Sequence, residues 1–270
     1  MKPITEKEFF DLVEFVKKTC GVNLHQKKTL VTGRLQNYLS ENNFDSFADY
    51  LDHVISDKTG KAAAVLINKL TTNHTFFMRE PRHFEIFKYE VLPFLEKSQQ
   101  DKKDLSIWSA GCSTGEEPYT LAMIIADYFG ANKFSWDTRL LATDISTQAL
   151  DTAINGIYRK ENADLLPEKW KKHYFKETPD GNYKISEKIG SEIIFRKFNL
   201  MTEQFPFKKR FNVIFCRNVM IYFDSETKRK LVDKFYEYTE EGGYLFIGHS
   251  ESLDRDKTRY RYVMPAVFRK

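Results

Sequence analysis

The apolar residues of this 270-residue chain change their spacing near Leu105, and that change excludes a fold built from one kind of layer. Upstream, the spacing is helical. Phe9, Leu12, Val13 and Val16 form a stripe that begins behind Thr5 and Glu8, spaced for a capping box, and stops at Cys20-Gly21. LHQKKTLVTGRLQNYLSENN offers a second helix. In SFADYLDHVI, Phe47, Tyr50, Leu51, Val54 and Ile55 follow the i, i+3, i+4, i+7, i+8 rule, and KAAAVLINKL reads as a fourth helix. REPRHFEIFKYEVLPFLEK reads as another, with Pro81 in its first turn, before the polar QQDKKD breaks the pattern.

Downstream, strand and helix alternate as in a parallel α/β sheet. LSIWSA, RLLATDIS, NVIFC and GYLFIG are the strands; EEPYTLAMIIADYF, STQALDTAING and SETKRKLVDKFYEYTEEGG are the helices, the last with a Gly stop. HYFKETPDGNYKIS places a PDG turn between two strand-like arms, with which SEIIFRKFNL is expected to pair as a small antiparallel insertion. The expected division is a helical unit over 1–75, a linker helix over 76–103, and a sheet domain over 104–270 with the insertion at about 160–198.

Composition narrows the function classes. Hydrophobic residues at 41% and charged ones at 30% suit a folded chain rather than a disordered one. No apolar run is long enough to span a bilayer, and MKPITEKEFF has acids where a secretory signal needs its apolar segment, so a cytoplasmic protein without membrane insertion is expected. Cys20, Cys112 and Cys216 lie far apart without CxxC pairing. They read as buried free thiols, and neither a disulfide framework nor a bound metal is expected. The net charge of +4 comes without a long Lys/Arg tract or a recognition module, so nucleic acid is not an expected partner.

Ligands of open parallel sheets bind beyond the carboxyl ends of the strands. Four stretches fall there: AGCSTGEEP, ATD, FNL and FCRNVMIYF. AGCSTGEEP is a glycine turn opening a helix, but it is neither GxGxxG nor a P-loop, and Glu116 and Glu117 oppose a phosphate at that helix start. Acids in a first turn also simply complement the helix dipole. The ligand that suits both glycines and acids is S-adenosylmethionine, which has no phosphate and carries a sulfonium, an amine and a ribose diol. Backbone approaches at Gly111 and Gly115, and Asp144 can accept from ribose hydroxyls or merely cap a helix. Arg217 and Asn218 after a buried strand either bind a ligand or form a structural ion pair. Tyr222 belongs to the pocket rim or to the core.

TTNHTFFMRE, IWSAGCSTGEEPYTLAM, ATDIS, FCRNVMIYF and GGYLFIGHSES, in that order and after a helical N-terminal unit, resemble the CheR-type chemotaxis receptor methyltransferases, which are protein-glutamate O-methyltransferases. The resemblance covers nearly the whole chain. It implies a class I methyltransferase, Rossmann-like sheet with an inserted antiparallel β subdomain, preceded by an all-α domain that contributes to the cofactor site. By motif position, Asn73, Thr75 and Arg79 would contact or close over S-adenosylmethionine, and Glu117 and Asp144 would hold its polar groups. Asn199 and Leu200 would meet the adenine, Gly111, Arg217 and Asn218 would line the pocket, and Arg79 and Tyr222 would lie nearest the transferred methyl. TTNHTFFMRE then becomes a lid segment, with Phe76 and Phe77 expected in the core and His74 at the surface.

The implied reaction gives glutamate methyl esters and S-adenosylhomocysteine, and needs no metal. The implied partner is the cytoplasmic helical region of methyl-accepting receptors, met by a monomer through a basic face of Lys27, Lys28 and Arg34 that reads equally as a solvated helix face. ETPDGNYKIS is shorter and less glycine-rich than the loop with which some family members hold a receptor's C-terminal peptide, which suggests a form without that tether. The competing readings are a methyltransferase for RNA or a small molecule, a regulatory module that binds S-adenosylmethionine, and a nicotinamide dehydrogenase, the last disfavoured by the glutamates at the glycine turn.

Overall fold

A computed structural model describes residues 3–270. Its N-terminal unit is helical throughout: α1 (Glu6–Cys20), α2 (Lys28–Glu41), α3 (Phe47–Ser56) and α4 (Lys61–Leu70) enclose Leu12, Val13, Val31, Leu35, Phe47 and Leu66. The capping box forms. Glu8 N–H donates to Thr5 Oγ1 at 3.2 Å, and Thr5 N–H donates to the Glu8 carboxylate at 2.8 Å. Gly21, at φ 79, ends α1.

A long helix then joins the two halves as α5 (Pro81–Ile86), a π turn (Phe87–Val91) and α6 (Leu92–Ser98). Leu92 N–H donates five residues back to Phe87 O, and Pro93, next in line, has no N–H to donate. The wide turn absorbs the missing donor.

The remaining strands are β1 (Ile107–Ala110), β2 (Leu140–Asp144), β3 (Ile157–Tyr158), β4 (Phe175–Glu177), β5 (Tyr183–Ile185), β6 (Ile193–Lys197), β7 (Phe211–Cys216), β8 (Thr239–Ile247), β9 (Arg261–Met264) and β10 (Val267–Arg269). Seven form one sheet in the order β6-β2-β1-β7-β8-β10-β9, parallel from β6 to β8 and antiparallel beyond. β1 and β7 are buried at every position, because helices cover both faces. On one face the π turn and α7 (Glu116–Phe129) pack through Phe87, Leu121 and Ile125 against Phe215 and Phe246. On the other, α12 (Ser225–Glu237) brings Leu231 and Phe235 against Trp108 and Leu245. The short helices α8 (Thr147–Asn155), α9 (Lys160–Ala163), α10 (Glu168–Tyr174) and α11 (Glu187–Gly190) lie between β2 and β6.

Three expectations need correction. SEIIFRKFNL does not pair with the PDG hairpin: Ile193–Lys197 runs parallel to β2 as an edge of the large sheet, with Leu140 opposite Ile193 and Ala142 opposite Phe195. The small antiparallel sheet instead has the order β3-β5-β4, drawing its third strand from Ile157–Tyr158. The last long helix stops at Glu237, and β8 begins at Thr239, ahead of the glycines expected to stop that helix. The C-terminal hairpin of β9 and β10 adds two strands beyond those expected from the pattern.

Candidate cofactor and active site

β1 leads to β2 on one side, while β7 lies on its other side, so a crevice opens at the carboxyl ends where the strand order reverses. At its floor the chain leaves β1 through Gly111. Its φ is 89, and a Cβ there would stand 2.4 Å from Val219 Cγ2, so backbone alone fits. Gly111 N–H and Cys112 N–H both donate to Thr143 O, which holds the glycine turn against the end of β2.

The acids differ in what they do. Glu116 is buried away from the crevice, where Thr114 Oγ1 donates to it at 2.6 Å, and burial raises its pKa. For this residue the structural alternative holds. Glu117 lines the crevice, accepting from Ser109 Oγ at 2.7 Å and from Arg217 Nη1 at 2.9 Å. Asp144 also lines it, and its carboxylate accepts from Ser113 N–H at 2.8 Å and Ser146 N–H at 2.9 Å. The cap of α8 is Ser146, not Asp144. Burial pushes the Asp144 carboxyl above the ordinary range, against the pull of those backbone donors.

The helical unit supplies the opposite wall. Asn73 is fixed by Ser113 Oγ, which donates to its carbonyl at 2.9 Å, and Asn73 Nδ2 donates to Ser146 Oγ at 3.3 Å. Thr75, Arg79, Asn199, Leu200, Asn218 and Tyr222 share the same crevice. Asn199 has little side chain left for a ligand. Its Nδ2 donates to Thr19 O at 2.6 Å and its Oδ1 accepts from Met201 N–H, tying the end of α1 to the sheet domain. Tyr222 O accepts from Asn23 N–H at 2.8 Å, a second tie between the halves.

Arg217 combines the two meanings open to it in the sequence. Its side chain is 2% exposed, paired to Glu117 and Glu80, and lies over the Phe84 ring. It also borders the crevice, and its Nε has no partner among the described residues, leaving one donor for a ligand.

Phe77 is fully buried as expected, but Phe76 is not core: it is 36% exposed, lines the crevice and lies beneath the Arg79 guanidinium. His74 is exposed and also borders the crevice. The three residues of the proposed basic face have different surroundings, although Lys27 and Arg34 border one shallow groove. Lys27 is exposed at the crevice mouth, while Lys28 pairs with Glu6 at 2.6 Å. Arg34 Nη1 donates to Leu70 O and Thr71 O, so its guanidinium braces the end of α4. All three cysteines are free and buried.

Sequence reasoning missed Glu80 and Glu251. Glu251 accepts from the N–H groups of Asn218 at 3.0 Å and Ile221 at 3.1 Å, shaping the loop after β7; its signal is the acid in GHSES. Glu80, His83 and His249 bring potential metal ligands within 4.8 Å of one another. The Glu80 carboxylate, however, is taken by Arg217 and Asn218, and the guanidinium repels a second cation.

The crevice fits S-adenosylmethionine in its chemistry: carboxylates for the amine and ribose, an orphaned Arg217 donor, and a glycine floor without a phosphate cradle. Residues 73–267 match the CheR methyltransferase SAM-binding domain, and residues 7–71 match the CheR methyltransferase all-alpha domain. The chain belongs to the CheR methyltransferase family. A chemotaxis protein methyltransferase of Borreliella burgdorferi is 40% identical over 99% of this chain and 95% of its own length. A probable chemotaxis protein methyltransferase of Rhizobium etli is 34% identical over 93% of this chain and 97% of its own. That of Escherichia coli is 31% identical over 95% and 88%. The chain is thus an S-adenosylmethionine-dependent methyltransferase of chemotaxis, with the all-α domain and methyltransferase sheet that the motifs implied. No described helix is long and apolar enough to cross a membrane.

Proposed function

We propose that the protein esterifies glutamate side chains on the cytoplasmic helical region of chemotaxis receptors, acting as a cytoplasmic monomer without a peptide tether. The observation that carries this is the company kept by Arg79. It is a crevice-lining cation whose Nη1 donates only to the His74 carbonyl, at 2.8 Å, while Arg217 satisfies the acid opposite.

When bound, S-adenosylmethionine supplies an electrophilic methyl on a sulfonium. Glu117 and Asp144 would hold its amine and ribose, and Asn199-Leu200 would meet its adenine. A receptor glutamate, with a reference pKa near 4.3, is only about one part in five hundred protonated at pH 7, so no general base is needed. What remains for the protein is to orient the carboxylate and exclude water. Arg79 orients it as a single charge-assisted donor, with Tyr222 completing the rim. Asn73 and Thr75 close the wall behind them. The tight Thr178–Asn182 turn, closed by Thr178 N–H to Asn182 O at 2.8 Å, suits a subdomain without a long peptide-gripping loop.

The test is product chemistry. Incubation with methyl-labelled cofactor and receptor-bearing membranes, then mild alkali, should release volatile methanol, as carboxyl esters do. Label that resists alkali would mark a nitrogen methylator and end this reading.

A further inference from the structure

Arg79 stands between two residues in left-handed backbone, Met78 at φ 59 and Glu80 at φ 57. Neither is glycine or asparagine, and such a conformation persists only where the surroundings impose it. The Glu80 carboxylate supplies the constraint. Its Oε1 accepts from Asn218 Nδ2 at 3.1 Å and from His249 N–H at 3.2 Å. Its Oε2 accepts from Arg217 Nη2 at 3.1 Å and lies 3.3 Å from His83 Nδ1. Arg217 Nη2 donates in addition to the main-chain oxygen of Arg79, and Arg217 Nη1 reaches Glu117.

One carboxylate therefore fastens the lid to the ends of β7 and β8. Asn218, on the far side of this contact, is itself left-handed at φ 58, and Gly248 leaves the room it needs: a Cβ there would stand 2.5 Å from Asn218 Nδ2. Burial alone would raise the Glu80 carboxyl, but the nearby His83 ring, the hydrogen bond from Asn218 and the Arg217 charge hold it well below the ordinary range. Arg79, by contrast, donates to the His74 carbonyl and rests over the Phe76 ring, and no carboxylate partner among the described residues fixes where it points. Beyond those two local contacts, its direction follows its backbone.

We propose that Glu80 is a positioning residue for methyl transfer, aiming the Arg79 side chain by tying the backbone immediately after it to Arg217, Asn218 and His249. The proposal rests on the role given to Arg79 above. Because Arg217 keeps Glu117 when Glu80 is neutralised, the cofactor side of the crevice should survive the change.

A two-residue cycle tests it: wild type, Glu80→Gln, Arg79→Ala and the double variant, each assayed for kcat and for binding of S-adenosylhomocysteine by calorimetry. Glu80→Gln should lower kcat by about 10- to 100-fold while the dissociation constant moves less than about threefold, and in the Arg79→Ala background it should lower kcat no further. A merely structural residue would lower kcat by the same factor in both backgrounds, and that result overturns the proposal. If Arg79→Ala alone turns over normally, the role of Arg79 fails, and the clamp loses its object with it. Should Glu80→Gln melt below the assay temperature, Glu80→Asp, which keeps the charge on a shorter arm, takes its place in the cycle: a loss confined to the Arg79 background supports the clamp, and an equal loss in both overturns it.

Discussion

Arg217 Nη1 lies 2.9 Å from Glu117 Oε2, joining the end of the central strand β7 to the first turn of the helix that follows β1. With its guanidinium almost wholly buried, the pair cannot be loosened cheaply: removing one partner strands the other charge, at about 3–5 kcal/mol. The crevice is therefore rigid where the cofactor's amine is expected, and Arg79, which also lines it, has no carboxylate partner among the described residues.

Arg79→Ala should cut turnover by about 100-fold or more, roughly 3 kcal/mol of transition-state stabilisation, because a positioned charged donor is lost. Thermal unfolding and S-adenosylhomocysteine affinity should stay near wild type. Near-normal rates would refute the role.

Asp144 gives a pH dependence with a definite sign. Its carboxyl is raised above the ordinary 3.8 in the ligand-free protein by burial, outweighing the donors Ser146 and Ser113. Ribose hydroxyls need the ionised form as acceptor, so binding is at full strength above the raised pKa and weakens as pH falls through it, by up to about tenfold per pH unit. Calorimetry between pH 7 and pH 4 should show the loss beginning above the range of an ordinary aspartate, and Asp144→Asn should flatten it. An unchanged slope in that variant would assign the titration elsewhere.

Gly111→Ala places a Cβ 2.4 Å from Val219 Cγ2 at a φ of 89. Backbone strain and displacement of Val219 together should cost about 2–4 kcal/mol, read as a lower urea midpoint, and cofactor binding should weaken with it. A wild-type midpoint would mean that the turn has room the geometry denies.

Substitution separates basic residues that the sequence sets on one helix face. Lys27→Glu, at the exposed mouth, should raise the KM for receptor several-fold in a salt-dependent way and leave stability alone. Arg34→Ala should instead destabilise the helical unit by about 1–3 kcal/mol, since it uncaps the Leu70 and Thr71 carbonyls. Equal loss of stability in both would contradict this division.

What the sequence discloses follows from how local each signal is. The Thr5/Glu8 box and the stripe of Phe47, Tyr50, Leu51 and Val54 lie within a few helical turns and are legible, although Ile55, expected in the same stripe, is exposed. Ile193–Lys197 is misread from sequence because its alternation fits either sheet, and only the partner, β2, decides between them. The crevice residues Asn73, Glu117, Asp144 and Asn218 are found by motif position, whereas Glu80 is hidden. Its role depends on Arg217 and His249, more than a hundred positions away, and in the sequence it reads as the acid before Pro81. Phe76 and Phe77 show the same limit: two adjacent rings, identical in sequence terms, of which the fold buries one and turns the other to the ligand wall.

The most direct test is a crystal structure of the protein with S-adenosylhomocysteine. The ligand should lie along the crevice with its adenine at Asn199-Leu200, its ribose at Asp144, its amine at Glu117 and its sulfur toward Arg79 and Tyr222. Density elsewhere on the sheet, or a sulfur turned away from Arg79, would contradict the assignment.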